Sequence, residues 1–229
     1  MSESVLIVAA HPDDEVLGCG GTIAKHADNG DSVHILIVAE GATSRQNQRN
    51  RNNALSELSL LAQAAQTAAN ILGAKSVNFL NYPDNRLDSI DRLDLIKSIE
   101  HHIAHIQPDV VYFHHAGDVN IDHRRLHEAV VTACRPIPGF FVKKLFSFEV
   151  ASSTEWQPNG SAIPFAPNWF VDISAQWSRK REALEAYATE MRDWPHSRSI
   201  EALEHQVRWR GAQVGVHAAE AFCLLRNLV

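Results

Sequence analysis

The sequence predicts an α/β fold, a Rossmann-like three-layer sandwich around a mostly parallel central sheet. Three observations predict it. Short apolar, β-branched runs recur at 5–8, 33–38, 77–80 and 110–113, as buried strands do. Stretches with helical spacing of apolar residues separate them, the rhythm of βαβ units. Polar and acidic residues then gather just after the strands, where open α/β sheets place their ligands.

The elements follow in order. Strand 5–8 leads into a helix over 16–29, closed by Asn29-Gly30, a C-cap signal. Strand 33–38 ends at Glu40-Gly41, and the polar stretch 43–53 reads as a loop or a frayed helix start. An Ala- and Leu-rich helix over 54–72 stops at Gly73. Strand 77–80 ends in the polar loop NYPDNRLDS, followed by a helix over 91–106 with apolar residues at 93, 95, 96, 99, 103 and 106. Strand 110–113 precedes a helix from about 122 to 134, and strand 145–150 follows. Residues 151–168 are rich in Ser, Pro and Asn and read as a long loop. A short strand at 169–173, a helix over 175–191, the segment RDWPHSRS and a helix over 200–210 come next. The closing VGVHAAEAFCLLRNLV is amphipathic, and its spacing leaves helix and strand both open.

With 229 residues the chain reads as one domain, 1–229, long enough for a full core. Its Rossmann-like part covers about 1–150, and an elaboration covers about 151–229. The composition is 45% hydrophobic and 21% charged with a net charge of −6. That balance offers no basic patch for nucleic acid or an anionic membrane. No stretch approaches the roughly 18 apolar residues of a membrane span. Cys19, Cys134 and Cys223 are few and far apart, which points to a reducing, cytoplasmic setting.

Chemistry concentrates in VLIVAAHPDDEVLGCGG, residues 5–21. His11, Asp13, Asp14 and Glu15 fall where the first strand ends. An imidazole beside three carboxylates is costly to bury unless something positive holds them, and a divalent metal does so. His11 and Asp14, three apart in a tight turn, supply two ligands, and a catalytic zinc takes three with one open position. The third comes from HHAGDVNIDHRRLHEAV, which follows another strand; His114, His115, His123 and His127 are all available there. Turn chemistry with a capping aspartate is the competing reading of HPDD. For His123 the competitor is an exposed first-turn residue behind an Asp122 N-cap. The glycines of GCGG lack phosphate-loop spacing and read as close helix–strand packing, with Cys19 as a small buried residue.

HPDDEVLGCGG, DVNIDHR and the C-terminal GVHAAEAF together resemble the PIG-L/LmbE-like zinc deacetylases, along most of the chain. The resemblance implies removal of the acetyl group from an N-acetylglucosamine-type sugar or its conjugate. It implies Zn²⁺, or another divalent metal, on His11, Asp14 and His123, with Asp13 as general base. Asp122 is then both a helix cap and an orienting partner. It also implies a homo-oligomer acting on a small molecule.

The family's oxyanion histidine is replaced by Asn120, whose amide donates a hydrogen bond but is no acid. A proton donor must then come from His196 or His217, and Asn120 or His217 would hold the oxyanion. The family's arginine falls to Arg45, Arg49 or Arg51. Asp84 and Arg86 are candidates for sugar hydroxyls or for a simple turn. His196 and Arg198 in WPHSRS are candidates to close over substrate. A related amidase on a thiol-sugar conjugate or an antibiotic intermediate is the first alternative. A non-catalytic nucleotide- or sugar-binding module is the second.

Overall fold

The computed structural model describes residues 2–46, 48–139 and 142–229. Seven strands form one sheet in the order β3-β2-β1-β4-β5-β7-β6. The first five are β1 (Ser4–Ala9), β2 (Ser32–Ala39), β3 (Ser76–Tyr82), β4 (Val110–His114) and β5 (Lys144–Phe148). Neighbours among these five pair in parallel. The alternation of side chains along a strand splits the core in two. Val5, Ile7, Val33, Ile35 and Ile37 pack on one face against α1 (Asp14–Asp28), α2 (Leu55–Leu72) and α5 (Trp177–Ala186). Leu6, Val8, Leu36, Val38, Val111 and Phe113 pack on the other against α3 (Arg92–Ile106) and α4 (Ile121–Ala133). This is the expected three-layer sandwich.

The C-terminal segment is a strand, β7 (Ala219–Asn227), antiparallel to both β5 and the short edge strand β6 (Trp169–Asp172). Periodicity left it open because the decision comes from outside: β7 fills the gap between the free edge of β5 and β6, which has no other strand partner,. The helix expected over 175–191 ends at Ala186, where the chain turns at Tyr187. A further helix, α6 (Ile200–Ala212), starts behind a Ser199 cap whose hydroxyl accepts the Ala202 N–H at 3.0 Å.

Helix α1 is broken inside GCGG. Cys19 has non-helical angles (φ −148°, ψ 24°), so neighbouring helical groups lose their partners. Glu220 on β7 replaces them on one side, accepting the N–H of Gly21 (2.9 Å) and of Thr22 (2.7 Å). Lys180 on α5 serves the other side, donating to the Leu17 carbonyl (2.9 Å) and to Glu220 (2.6 Å). The glycines do permit close packing. A β-carbon at Gly21 would stand 2.7 Å from Ile173, and one at Gly18 would overlap the buried Phe148 ring. Gly18→Ala is therefore expected to cost about 1–3 kcal/mol through overpacking. The check is a lower urea midpoint with an unchanged slope.

Candidate functional site

The site is built where the sheet's parallel strands end. β1 runs into His11 and Asp14, β3 into the turn carrying Asp84, and β4 through Asp118 into the start of α4, with Asp122 and His123. Asn120 caps α4, its side-chain oxygen accepting the Asp122 N–H at 2.8 Å. That cap sets Asp122 and His123 on the first turn, facing the β1 loop.

His11, Asp14 and His123 present ligand atoms within 4.8 Å of one another. His11 Nδ1 lies 3.3 Å and His123 Nε2 lies 3.2 Å from Asp14 Oδ2. Their outer nitrogens are held by carboxylates. His11 Nε2 faces Asp122 at 3.0 Å and Asp84 at 3.3 Å, and His123 Nδ1 faces Asp118 at 3.2 Å. With the outer N–H held by a carboxylate, a neutral ring would turn its inner nitrogen's lone pair to the centre, as in metal-binding histidines. Asp122 orients His11 and not its neighbour His123. Asp118 is itself fixed by the Ser153 and Thr154 hydroxyls and the Asn120 N–H.

Two atoms of this trio test whether a cation fits. Asp14 Oδ1 and His123 Nε2 are buried with no hydrogen-bond partner among the described residues, an arrangement that costs about 1–3 kcal/mol per group unless a ligand satisfies it. The donor set, two imidazoles and a carboxylate, suits zinc. Electrostatics agree with a cation's place. Burial pulls the His123 imidazole down, but Asp14 and Asp118 outweigh it and leave it raised to about 9. His11 is raised likewise, against its burial, by Asp122, Asp14 and Asp84. Asp14 is held well below the usual carboxylate range because His123 and His114 outweigh its burial.

Asp13 stands beside this trio. It is buried and has φ 114°, outside the conformations ordinary residues prefer,. Burial raises its carboxyl to about 7, opposed by Arg198 and reinforced by Asp14 and Glu190. Arg198 Nη1 donates to Asp13 Oδ2 at 2.6 Å.

The remaining expected residues separate. Arg45 pairs with Glu57 at 2.6 Å and with Glu190 at 2.6 Å, whereas Arg49 and Arg51 both pair with the buried Glu40. Asp84 is buried and bonded to His11, the Ser44 N–H and Asn85, so it belongs to the His11 support. Arg86 is exposed and contributes its carbonyl to a turn with Ser89. His196 accepts the Arg198 N–H on Nδ1 and lies edge-on to Trp156.

His217 is not brought to the cluster. It is exposed, because the chain reaches the buried edge of β7 only from Ala218 onward.

Sequence reasoning missed Asp118, Ser153 and Thr154. His114, one of the four histidines available as a third ligand, instead stacks its ring on His123 at 3.8 Å while its Nε2 accepts the Ala10 N–H. Burial and then His123 hold His114 well below its usual value. The one available signal was Asp118, four residues before Asp122 in the loop that leads into α4.

Residues 6–134 match the family described as PIG-L: GlcNAc-PI de-N-acetylase. The chain is 30% identical to the uncharacterized deacetylase YaiS of Escherichia coli (strain K12), over 76% of this chain and 84% of the relative. It is also 30% identical to the 1D-myo-inositol 2-acetamido-2-deoxy-alpha-D-glucopyranoside deacetylase of Rhodococcus jostii (strain RHA1), over 93% and 94%. The fold is similar to that of the N,N'-diacetylchitobiose deacetylase from Pyrococcus horikoshii, with a TM-score of 0.78 at 21% identity, covering 98% of this chain and 84% of that one.

Proposed function

We propose, from the premise that this chain belongs to the PIG-L family, that it is a metal-dependent hydrolase removing the acetyl group from an N-acetylated amino sugar or its conjugate. The observation that carries the reading is the His11–Asp14–His123 trio, with its two unpartnered buried atoms and Asp13 beside it. The relatives' deacetylase names support the substrate class.

His11, Asp14 and His123 would hold the cation, which when bound polarises the acetyl carbonyl and acidifies water. Asp13 takes the proton as water attacks the carbonyl carbon, which fits a carboxyl raised to about 7,. The Asn120 oxygen is committed to its cap, which leaves the amide Nδ2 as the donor for the developing oxyanion. Asp13 then returns its proton to the departing amine, so that no histidine is required as a separate acid. Acetate and the free amino sugar leave.

We read the whole chain as one catalytic unit, acting in the cytoplasm as a homo-oligomer; these readings rest on family resemblance and cysteine usage. Among the described residues no helix is long and apolar enough to cross a membrane.

Acetate release from a panel of N-acyl sugars and conjugates, alongside elemental analysis, tests the proposal. Chelation is expected to abolish release and added zinc to restore it; activity that survives complete metal removal overturns it. Asp118→Ala is expected to weaken cation binding about 10–100-fold by freeing the His123 ring, read by competition with a chromogenic chelator.

A further inference from the structure

We propose, building on the reading of Asp13 as general base, that residues 187–198 form a clamp that aims the Asp13 carboxylate. Arg198 is then a positioning residue of the reaction and not a ligand for the sugar. One segment grips Asp13 from two sides. On the backbone side, Asp13 N–H donates to Glu15 Oε2 at 3.1 Å, and Glu15 Oε1 accepts the Tyr187 hydroxyl at 2.6 Å. On the side-chain side, Arg198 Nη1 donates to Asp13 Oδ2 at 2.6 Å. The guanidinium is anchored in turn, its Nε donating to Ser152 Oγ at 2.6 Å and Glu190 standing 3.8 Å from Nη1.

This arrangement answers two physical needs. A non-glycine residue at φ 114° persists only where its surroundings over-determine it,. Tyr187 and Glu15, both buried, supply that constraint. A carboxylate acting as base must also present one oxygen to the water. Arg198 occupies Oδ2 and leaves Oδ1 for the proton. A sugar ligand needs donors free to meet hydroxyls, but Arg198 is 22% exposed with Nε and Nη1 engaged inside the protein. Glu190 extends the clamp to Arg45, whose Nη2 donates to both its oxygens. Tyr187, Glu190 and Arg198 all lie beyond the 6–134 stretch that matches the family. The base and the residues that aim it therefore come from different parts of the chain.

The test uses the full chain loaded with zinc and the best substrate from the acetate-release panel. Arg198→Ala is expected to lower kcat about 100-fold. KM, the inhibition constant of the amino-sugar product, and metal content should stay within about threefold. Added guanidinium and Arg198→Lys should each recover part of the loss. Tyr187→Phe, which acts only through Glu15, is expected to lower kcat about tenfold with KM unchanged; it carries the test should Arg198→Ala fail to fold. In an Asp13→Asn background, Arg198→Ala should add less than about threefold. A tenfold rise in KM and in the product's inhibition constant at unchanged kcat would make Arg198 a sugar ligand and overturn the clamp. An undiminished effect in the Asp13→Asn background does the same. Full activity of Asp13→Asn alone would sink the reading of the base itself, a separate failure.

Discussion

Asp13→Asn is expected to retain the fold and bound metal while losing about 10²–10⁴-fold in kcat, the range for removing a general base. The substitution keeps the shape of the side chain and removes its capacity to take a proton. Asn tolerates positive φ better than most residues, so the backbone at φ 114° survives. The Arg198 guanidinium still has an acceptor, now the neutral amide oxygen of the asparagine. Asp13 is not among the trio that meets at the cation centre, so metal content should match the parent's. Acetate release at saturating substrate, beside elemental analysis of the same sample, checks both halves. A variant that keeps metal and full turnover refutes the mechanism; one that loses both would place Asp13 among the ligands.

The largest stability effect is expected at Glu220, far in sequence from the catalytic loop. Glu220→Ala should destabilise the protein by about 3–5 kcal/mol, because it strands a buried lysine without its counter-ion. Lys180 and Glu220 side chains are 2% and 3% exposed and lie 2.6 Å apart. Glu220 also receives the Gly21 and Thr22 N–H groups and the Thr22 hydroxyl, so the loss leaves the broken α1 uncapped as well. For a chain of this length the melting temperature should fall by roughly 6–20 °C. Glu220→Gln combined with Lys180→Met should cost less than the sum of the two single changes, since the charge is then removed from both partners. Calorimetry on the four proteins decides. Additive losses would mean that the pair contributes little beyond its separate hydrogen bonds.

That coupling explains why GVHAAEAF was legible as a motif and illegible as structure. Its acidic residue does not touch the cation centre. It repairs the helix that follows the HPDD loop, 198 residues earlier in the chain. The same limit applies to the histidines. His123 could be selected among four neighbours only through family resemblance, because spacing does not say which rings face β1. The structure separates them: His123 meets Asp14, His114 stacks behind it, His115 bonds the Ile163 carbonyl, and His127 bonds the His114 carbonyl. Arg86 and His217 show another limit. Both looked polar and well placed along the chain, and both are exposed, one on a turn and one just before β7.

By itself the sequence determined what depends on near neighbours: the alternating strands and helices, the parallel first half of the sheet, and a metal-type motif at the end of β1. Periodicity, caps and turn residues act over a few positions, so these features can be read without a partner in view. Only the tertiary structure decided the antiparallel β7, the carboxylates behind each imidazole and the Tyr187–Arg198 grip on Asp13. Apart from Asp118 behind His123, those contacts join residues far apart in the chain, 111 positions for His11 and Asp122 and 185 for Asp13 and Arg198. Which distant side chain meets an unpartnered buried group follows from how the layers pack, and no local pattern carries that information.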